Sequence, residues 1–146
     1  MFGMMRAGLQ SRMRSESTEQ TIFVARVRQF HSELVLMSIP NGGKRDPRVA
    51  AQMKREGVLP GAPDLFLAEP RGEHKGLFIE MKRSDGRTSK EQKDLHAKLS
   101  LRGYAVEVCY SADAAYIALL QYAYGQSWNT KFPYARAILA RTGAVS

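Results

Sequence analysis

Three residues of this 146-residue chain have the types and spacing for chemistry: Asp64, Glu80 and Lys82. They lie in GVLPGAPDLFLAEPRGEHKGLFIEMKRSDGRTSKEQ, residues 57–92. Asp64 follows Pro63 and opens one apolar run, DLFLAE. Glu80 and Lys82 close a second, GLFIEMK. Side chains alternate faces along a strand, so Leu77, Ile79 and Met81 point one way and Phe78, Glu80 and Lys82 the other. If the runs fold back as a hairpin about Gly72, Asp64 comes opposite Glu80, and a slip of two residues puts it opposite Lys82. Either register lets the three converge. Two carboxylates are hard oxygen ligands that suit Mg²⁺. A metal there polarises a phosphoryl oxygen and lowers the pKa of a bound water. A neighbouring ammonium can orient that water or offset charge developing on a phosphate. The same spacing also suits a cross-strand salt bridge on a solvated face, and spacing alone leaves both readings open.

The elements that must position these residues follow from periodicity and punctuation. Residues 1–14 are rich in Met and Arg and have no clear period, so they read as a flexible arm. Gln20, Phe23, Val27, Phe30 and Leu34 recur at spacings of three and four, which predicts a helix from about Ser15, its N-cap, to Glu33. LVLMSIP reads as a buried strand ended by proline, and NGGKR as a turn. DPRVAAQMKREG predicts a helix with Asp46 as N-cap, Pro47 at its first position and Gly57 as its stop. After the hairpin, Thr88 with Glu91 three residues on reads as a capping box for a helix reaching about Leu101. YAVEVCY is a further strand, and Ser111 caps a helix over roughly 112–124. A short helix is expected after Pro133. Helix, strand, small helix, two strands, helix, strand and helix make a mixed β-sheet flanked by helices, an α/β or α+β domain.

Composition narrows the function classes. The hydrophobic fraction is 44% and the charged fraction 25%, as in an ordinary globular domain. A net charge of +8 favours a polyanionic partner, nucleic acid before membrane. The single cysteine, Cys109, excludes a disulfide within the chain and a Cys-x-x-Cys zinc site. It reads as a small buried hydrophobe. The first 17 residues lack the continuous apolar run of a signal peptide, and no run approaches the ~18 residues of a membrane span. His31, His74 and His96 share no metal-ligand spacing and read as surface or satisfied packing. Neither a GxSxG motif nor a Walker loop occurs. Tyr116, Leu120 and Tyr124 form a stripe at helical spacing, read as core or subunit interface.

Taken in order, IPNGGKR, a helix, GVLPGAPDLFL, GLFIEMKR, S-x-E-Q and GYAVEV resemble the VRR-NUC family (virus-type replication-repair nucleases) of the PD-(D/E)xK superfamily, over residues 16 to about 123. The resemblance implies a restriction-endonuclease-like α/β fold with a nuclease domain over 15–125 and a tail over 126–146 that meets a dimer partner or DNA. Asp64, Glu80 and the Met81 carbonyl would hold Mg²⁺ or Mn²⁺, and Lys82 would handle the attacking water. Gln92 would stand behind the site, and Glu16, followed by Gln20, would be the acid of the first helix, with Glu19 as the alternative. Asn41, Lys44 and Arg45 would lie near DNA, and Lys54, Arg55, Arg83, Arg87 and Lys90 would neutralise phosphates.

The implied activity is metal-dependent endonucleolytic hydrolysis of DNA, selective for structure, on branched DNA such as four-way (Holliday) junctions. A homodimer is expected, with Trp128 or the first helix at its interface. Origin in a phage or prophage and the cytoplasm of a bacterial host are expected too. Two other readings stay open: a non-catalytic DNA-binding module, and a nuclease for single-stranded ends or RNA.

Overall fold

The computed structural model of the protein describes residues 13–40 and 46–146. Asn41, Lys44 and Arg45, and most of the expected N-terminal arm, lie outside the described residues. The first helix, α1, spans Glu16–Phe30, and its N-cap Ser15 accepts from the Thr18 N–H. Strand β1 is Leu36–Ser38. Helix α2, Pro47–Arg55, has Asp46 accepting from Arg48 N and proline in its first turn. The hairpin strands are β2, Leu65–Leu67, and β3, Leu77–Met81. Helix α3, Lys90–Leu101, carries the chain across to β4, Ala105–Cys109. Helix α4, Ala112–Tyr124, is capped by Ser111, and α5, Trp128–Lys131, and α6, Pro133–Arg141, follow.

The strands form one sheet in the order β1-β2-β3-β4. The β1–β2 and β2–β3 pairs are antiparallel, and β3–β4 is parallel. A parallel pair needs a long crossover, and α3 supplies it. In the hairpin Leu65 pairs with Ile79 and Leu67 with Leu77, the first of the two registers that the turn about Gly72 allows. Leu65, Leu67, Leu77, Ile79 and Met81 are at most 1% exposed. They face Phe23 and Val27 of α1 and Tyr116, Leu119 and Leu120 of α4 in a single core. Each such side chain contributes about 1.5–3 kcal/mol through burial.

The opposite face carries the stacked rings of Phe66 and Phe78, with Tyr104 edge-on to Phe78. Helix α3 covers its far end, because the side chains of α3 reach Glu80 on that face. The sheet is therefore sandwiched between α1 with α4 and α3, the mixed α/β architecture that the element order implies.

Two expectations are revised and a third is narrowed to one of its alternatives. The capping box sits one residue later, at Ser89 with Gln92, and both reciprocal bonds are made. The segment beyond residue 125 folds onto the same core, with Trp128, Ala135 and Leu139 buried in it, so Trp128 packs inside its own chain and not on an extended tail. The Tyr116–Leu120 stripe is core. Among the described residues no helix is long and apolar enough to cross a membrane.

Candidate active site

The site is built at the end of β3, where the alternation of strand side chains turns Glu80 and Lys82 away from the apolar core. Both are buried nonetheless, at 2% and 8% exposure. Asp64, one residue before β2, is brought beside them by the hairpin register. Its Oδ2 accepts from the Met81 N–H at 2.7 Å. Its own carbonyl accepts from Ile39 N at 2.7 Å, which ties the Pro-Asp turn to the end of β1. The chain before Asp64 is pressed against α3. A Cβ on Gly61 would stand 2.8 Å from the Glu91 backbone carbonyl, and its φ is +81°. Only glycine fits both constraints, so Gly61 lets the GAPD loop close over the start of α3.

Burial and mutual repulsion govern the charges. Glu80 is pushed up to about 8, first by burial, then by the field of Asp64, with Lys82 opposing. Asp64 is raised as well, again mainly by burial, while the Met81 N–H and Lys82 pull it down. Two carboxyl groups that share a small dry space hold one proton between them. Lys82 Nζ lies 3.8 Å from Glu80 Oε1, which offsets part of that repulsion without removing it.

Helix α3 supplies the back of the site. Gln92 spends its amide twice: Oε1 accepts from Ser89 N at 2.9 Å, completing the capping box, and Nε2 donates to Glu80 Oε1 at 3.0 Å. The same residue thus starts the helix and holds the carboxylate.

The two acids in the first turn of α1 separate clearly. Glu16 approaches the pair; its charge raises both Asp64 and Glu80, and its Oε1 accepts from Arg83 N at 3.4 Å. Glu19 instead caps α4, its Oε2 accepting from Ala112 N at 2.7 Å. Of the expected phosphate contacts, Arg87 and Lys90 are exposed, while the Arg83 guanidinium pairs with Asp85 at 2.9 Å. Lys54 and Arg55 lie exposed on α2.

His96 was expected to be surface or satisfied packing, and it is neither. Its Nε2 lies 3.7 Å from Glu80 Oε2, and both atoms are buried without a hydrogen-bond partner. The sequence carried one signal for it: His96 stands four residues after Gln92, on the same helix face.

A family model for the VRR-NUC domain matches residues 9–113. The chain belongs to the VRR-NUC domain family. A solved VRR_NUC domain protein superposes with a TM-score of 0.65 at 25% identity, covering 76% of this chain and 89% of that one. A second solved structure, a VRR_NUC domain, gives a TM-score of 0.49 at 22% identity, covering 75% of this chain and 97% of that one. No curated protein matches the chain. Membership in the VRR-NUC family gives the chain a nuclease-type fold, and nuclease activity in general terms goes with it.

The donor set of this VRR-NUC domain fits a hard divalent cation. Two oxygen-bearing acids are forced together, and one buried oxygen, Glu80 Oε2, has no partner. A cation would take the place of the shared proton and relieve the repulsion. Among the described residues no three His, Cys, Asp or Glu side chains form a group that could hold a metal, so the protein ligands would be the two carboxylates and the Met81 carbonyl, with water filling the rest, as Mg²⁺ prefers.

Proposed function

We propose that the protein is a metal-dependent, structure-selective DNA endonuclease that hydrolyses phosphodiester bonds in branched DNA such as four-way junctions, acting as a homodimer. The observation that carries this reading is the pairing of part-buried Asp64 with buried Glu80, with Lys82 against them. Such a pair is unfavourable in the metal-free protein and becomes favourable once a Mg²⁺ or Mn²⁺ is bound. The bound ion would supply Lewis acidity towards a phosphate oxygen and a more acidic water.

The rest of the work falls to the chain's own residues. Asp64, Glu80 and the Met81 carbonyl hold the ion. Gln92 fixes the direction of Glu80. The Lys82 ammonium orients the attacking water and offsets charge developing on the phosphate as the 3′ oxygen leaves. Glu16 adds negative charge beside the pair and strengthens its demand for a cation. Arg87 and Lys90, exposed on the loop and first turn that lead into α3, neutralise phosphates on the side from which DNA would enter. A two-fold dimer would present two such sites for paired incisions.

The deciding experiment is cleavage of a labelled four-way junction beside a linear duplex of matched sequence, in Mg²⁺ or Mn²⁺, with Asp64→Ala as control. Symmetric nicks in the junction, lost with EDTA and in the variant, are expected. Binding without metal-dependent cutting would instead identify a DNA-binding module. Preferential cutting of flaps, single strands or RNA in competition would move the substrate while keeping the chemistry.

A further inference from the structure

Glu80 is held at one of its two oxygens. Gln92 Nε2 donates to Oε1 at 3.0 Å, and Lys82 Nζ lies 3.8 Å from the same atom. Glu80 Oε2 has no partner. Among the described residues one other buried side-chain polar atom shares that condition, His96 Nε2. The two face each other across 3.7 Å. A buried polar atom without a partner costs about 1–3 kcal/mol, and native structures contain few of them. Two orphans confronting each other inside one site have a common origin. Gln92 and His96 are four residues apart on α3, so one helix face directs an amide to one oxygen of Glu80 and an imidazole to the other.

We infer that His96 is a positioning residue for the Glu80 carboxylate, with Nε2–H holding Oε2 while Gln92 holds Oε1, so that Glu80 meets a divalent cation in a fixed orientation. This rests on the metal-dependent reading above. The distance exceeds the 2.7–3.2 Å of an N–H···O bond. A small rotation of the imidazole or the carboxylate closes the gap directly, and one bridging water closes it otherwise. His96 acts through Glu80 and not as a ligand, because Asp64, Glu80 and His96 do not converge as a metal-holding group. Ligating carboxylates are themselves usually hydrogen-bonded, and loss of such an outer partner lowers metal affinity about 10–100-fold.

The test is Mn²⁺ binding to the full chain without DNA, followed by electron paramagnetic resonance, in wild type, His96→Ala, His96→Gln and Asp64→Ala, with thermal melts of each. A glutamine amide can donate from a position similar to that of Nε2. Mn²⁺ affinity should fall about 10–100-fold in His96→Ala and return most of the way in His96→Gln. Equal affinity in wild type and His96→Ala overturns the inference. So does an equal loss in both variants, or nitrogen coupling from His96 to bound Mn²⁺, which would make it a ligand. A wild-type chain that binds no Mn²⁺ fails one step earlier: the Asp64–Glu80 metal reading falls, and this inference with it.

Discussion

Two histidines of this domain, His31 buried and His96 largely so, sit in polar clusters of opposite character. His31, 0% exposed, closes the C-terminus of α1. The Tyr124 hydroxyl donates to Glu33, so its oxygen is left to accept from His31 Nδ1–H at 3.2 Å. That fixes the tautomer, and His31 Nε2 accepts from the Tyr116 hydroxyl at 2.8 Å. The chain of bonds runs one way from Tyr116 to Glu33, and the rings of Phe132 and Tyr134 enclose the imidazole. It fastens α1 to α4 and the C-terminal helices with every polar group paired. His96 faces a cluster with a surplus of negative charge, two orphaned atoms and a carboxyl pair that cannot ionise together. A closed network of this kind stabilises a fold, whereas an incomplete one marks a place where a further group is expected.

Glu80→Gln should break that contrast most severely if it is wrong. The variant keeps the shape and removes the second ionisable carboxyl. Metal-dependent cleavage should fall by about 10²–10³-fold, while the metal-free melting temperature stays level or rises, since the two carboxyls no longer compete for one proton. A loss of activity accompanied by a large fall in melting temperature would mean that the Glu80 cluster is structural after all, no different in kind from the His31 network.

The convergence of Asp64, Glu80 and Lys82 was legible in the chain because strand alternation and a turn of defined length restrict the register. Asp64, Glu80 and Lys82 follow from those two rules and a motif. The misses share a cause in tertiary packing. Thr88 with Glu91 and Ser89 with Gln92 both satisfy the capping pattern. The second is used, and it is the one that also delivers Gln92 to Glu80, while Gly61 packs on the backbone of Glu91. Glu16 and Glu19 both sit in the first turn of α1, and only the docking of α4 shows that Glu19 is occupied with Ala112. Trp128 looked like a tail residue because nothing local reveals that the last two helices return to the core. His96 showed no metal-ligand spacing because its partner is a residue already counted.

The next effect in size is on the other cluster. His31→Leu removes both ring nitrogens and leaves the Tyr116 hydroxyl and the Tyr124 oxygen short of a partner. A cost of about 2–4 kcal/mol is expected from buried groups left unpaired, seen as a lower denaturant midpoint. The cleavage rate per folded molecule should be unchanged. A variant of normal stability and reduced activity would place the His31 network in the mechanism and erase the distinction between the two regions.

The smallest effect is the pH dependence of stability, and here the histidines and the carboxyl pair pull in opposite directions. Burial lowers both His31 and His96, so the folded state disfavours their protonation and stability falls as pH drops below about 6.5. The carboxyl pair behaves in the reverse sense. Glu80 is raised to about 8, so its protonated form is favoured by folding. Its contribution is full below the ordinary carboxylate range, near 4.5, and is lost as pH rises through about 8. Cys109, Tyr116 and Tyr124 are raised and act only at higher pH. Between about pH 6.5 and 9 the metal-free protein should therefore lose a few degrees of melting temperature with rising pH. Mn²⁺ should abolish that decline, because the cation takes the proton's place and binds more tightly as the pair ionises. Melts in EDTA and in Mn²⁺ across this window would check both halves. A flat metal-free curve would mean that Asp64 and Glu80 are not in conflict, and the incompleteness that separates this end of the domain from the His31 end would have no energetic counterpart.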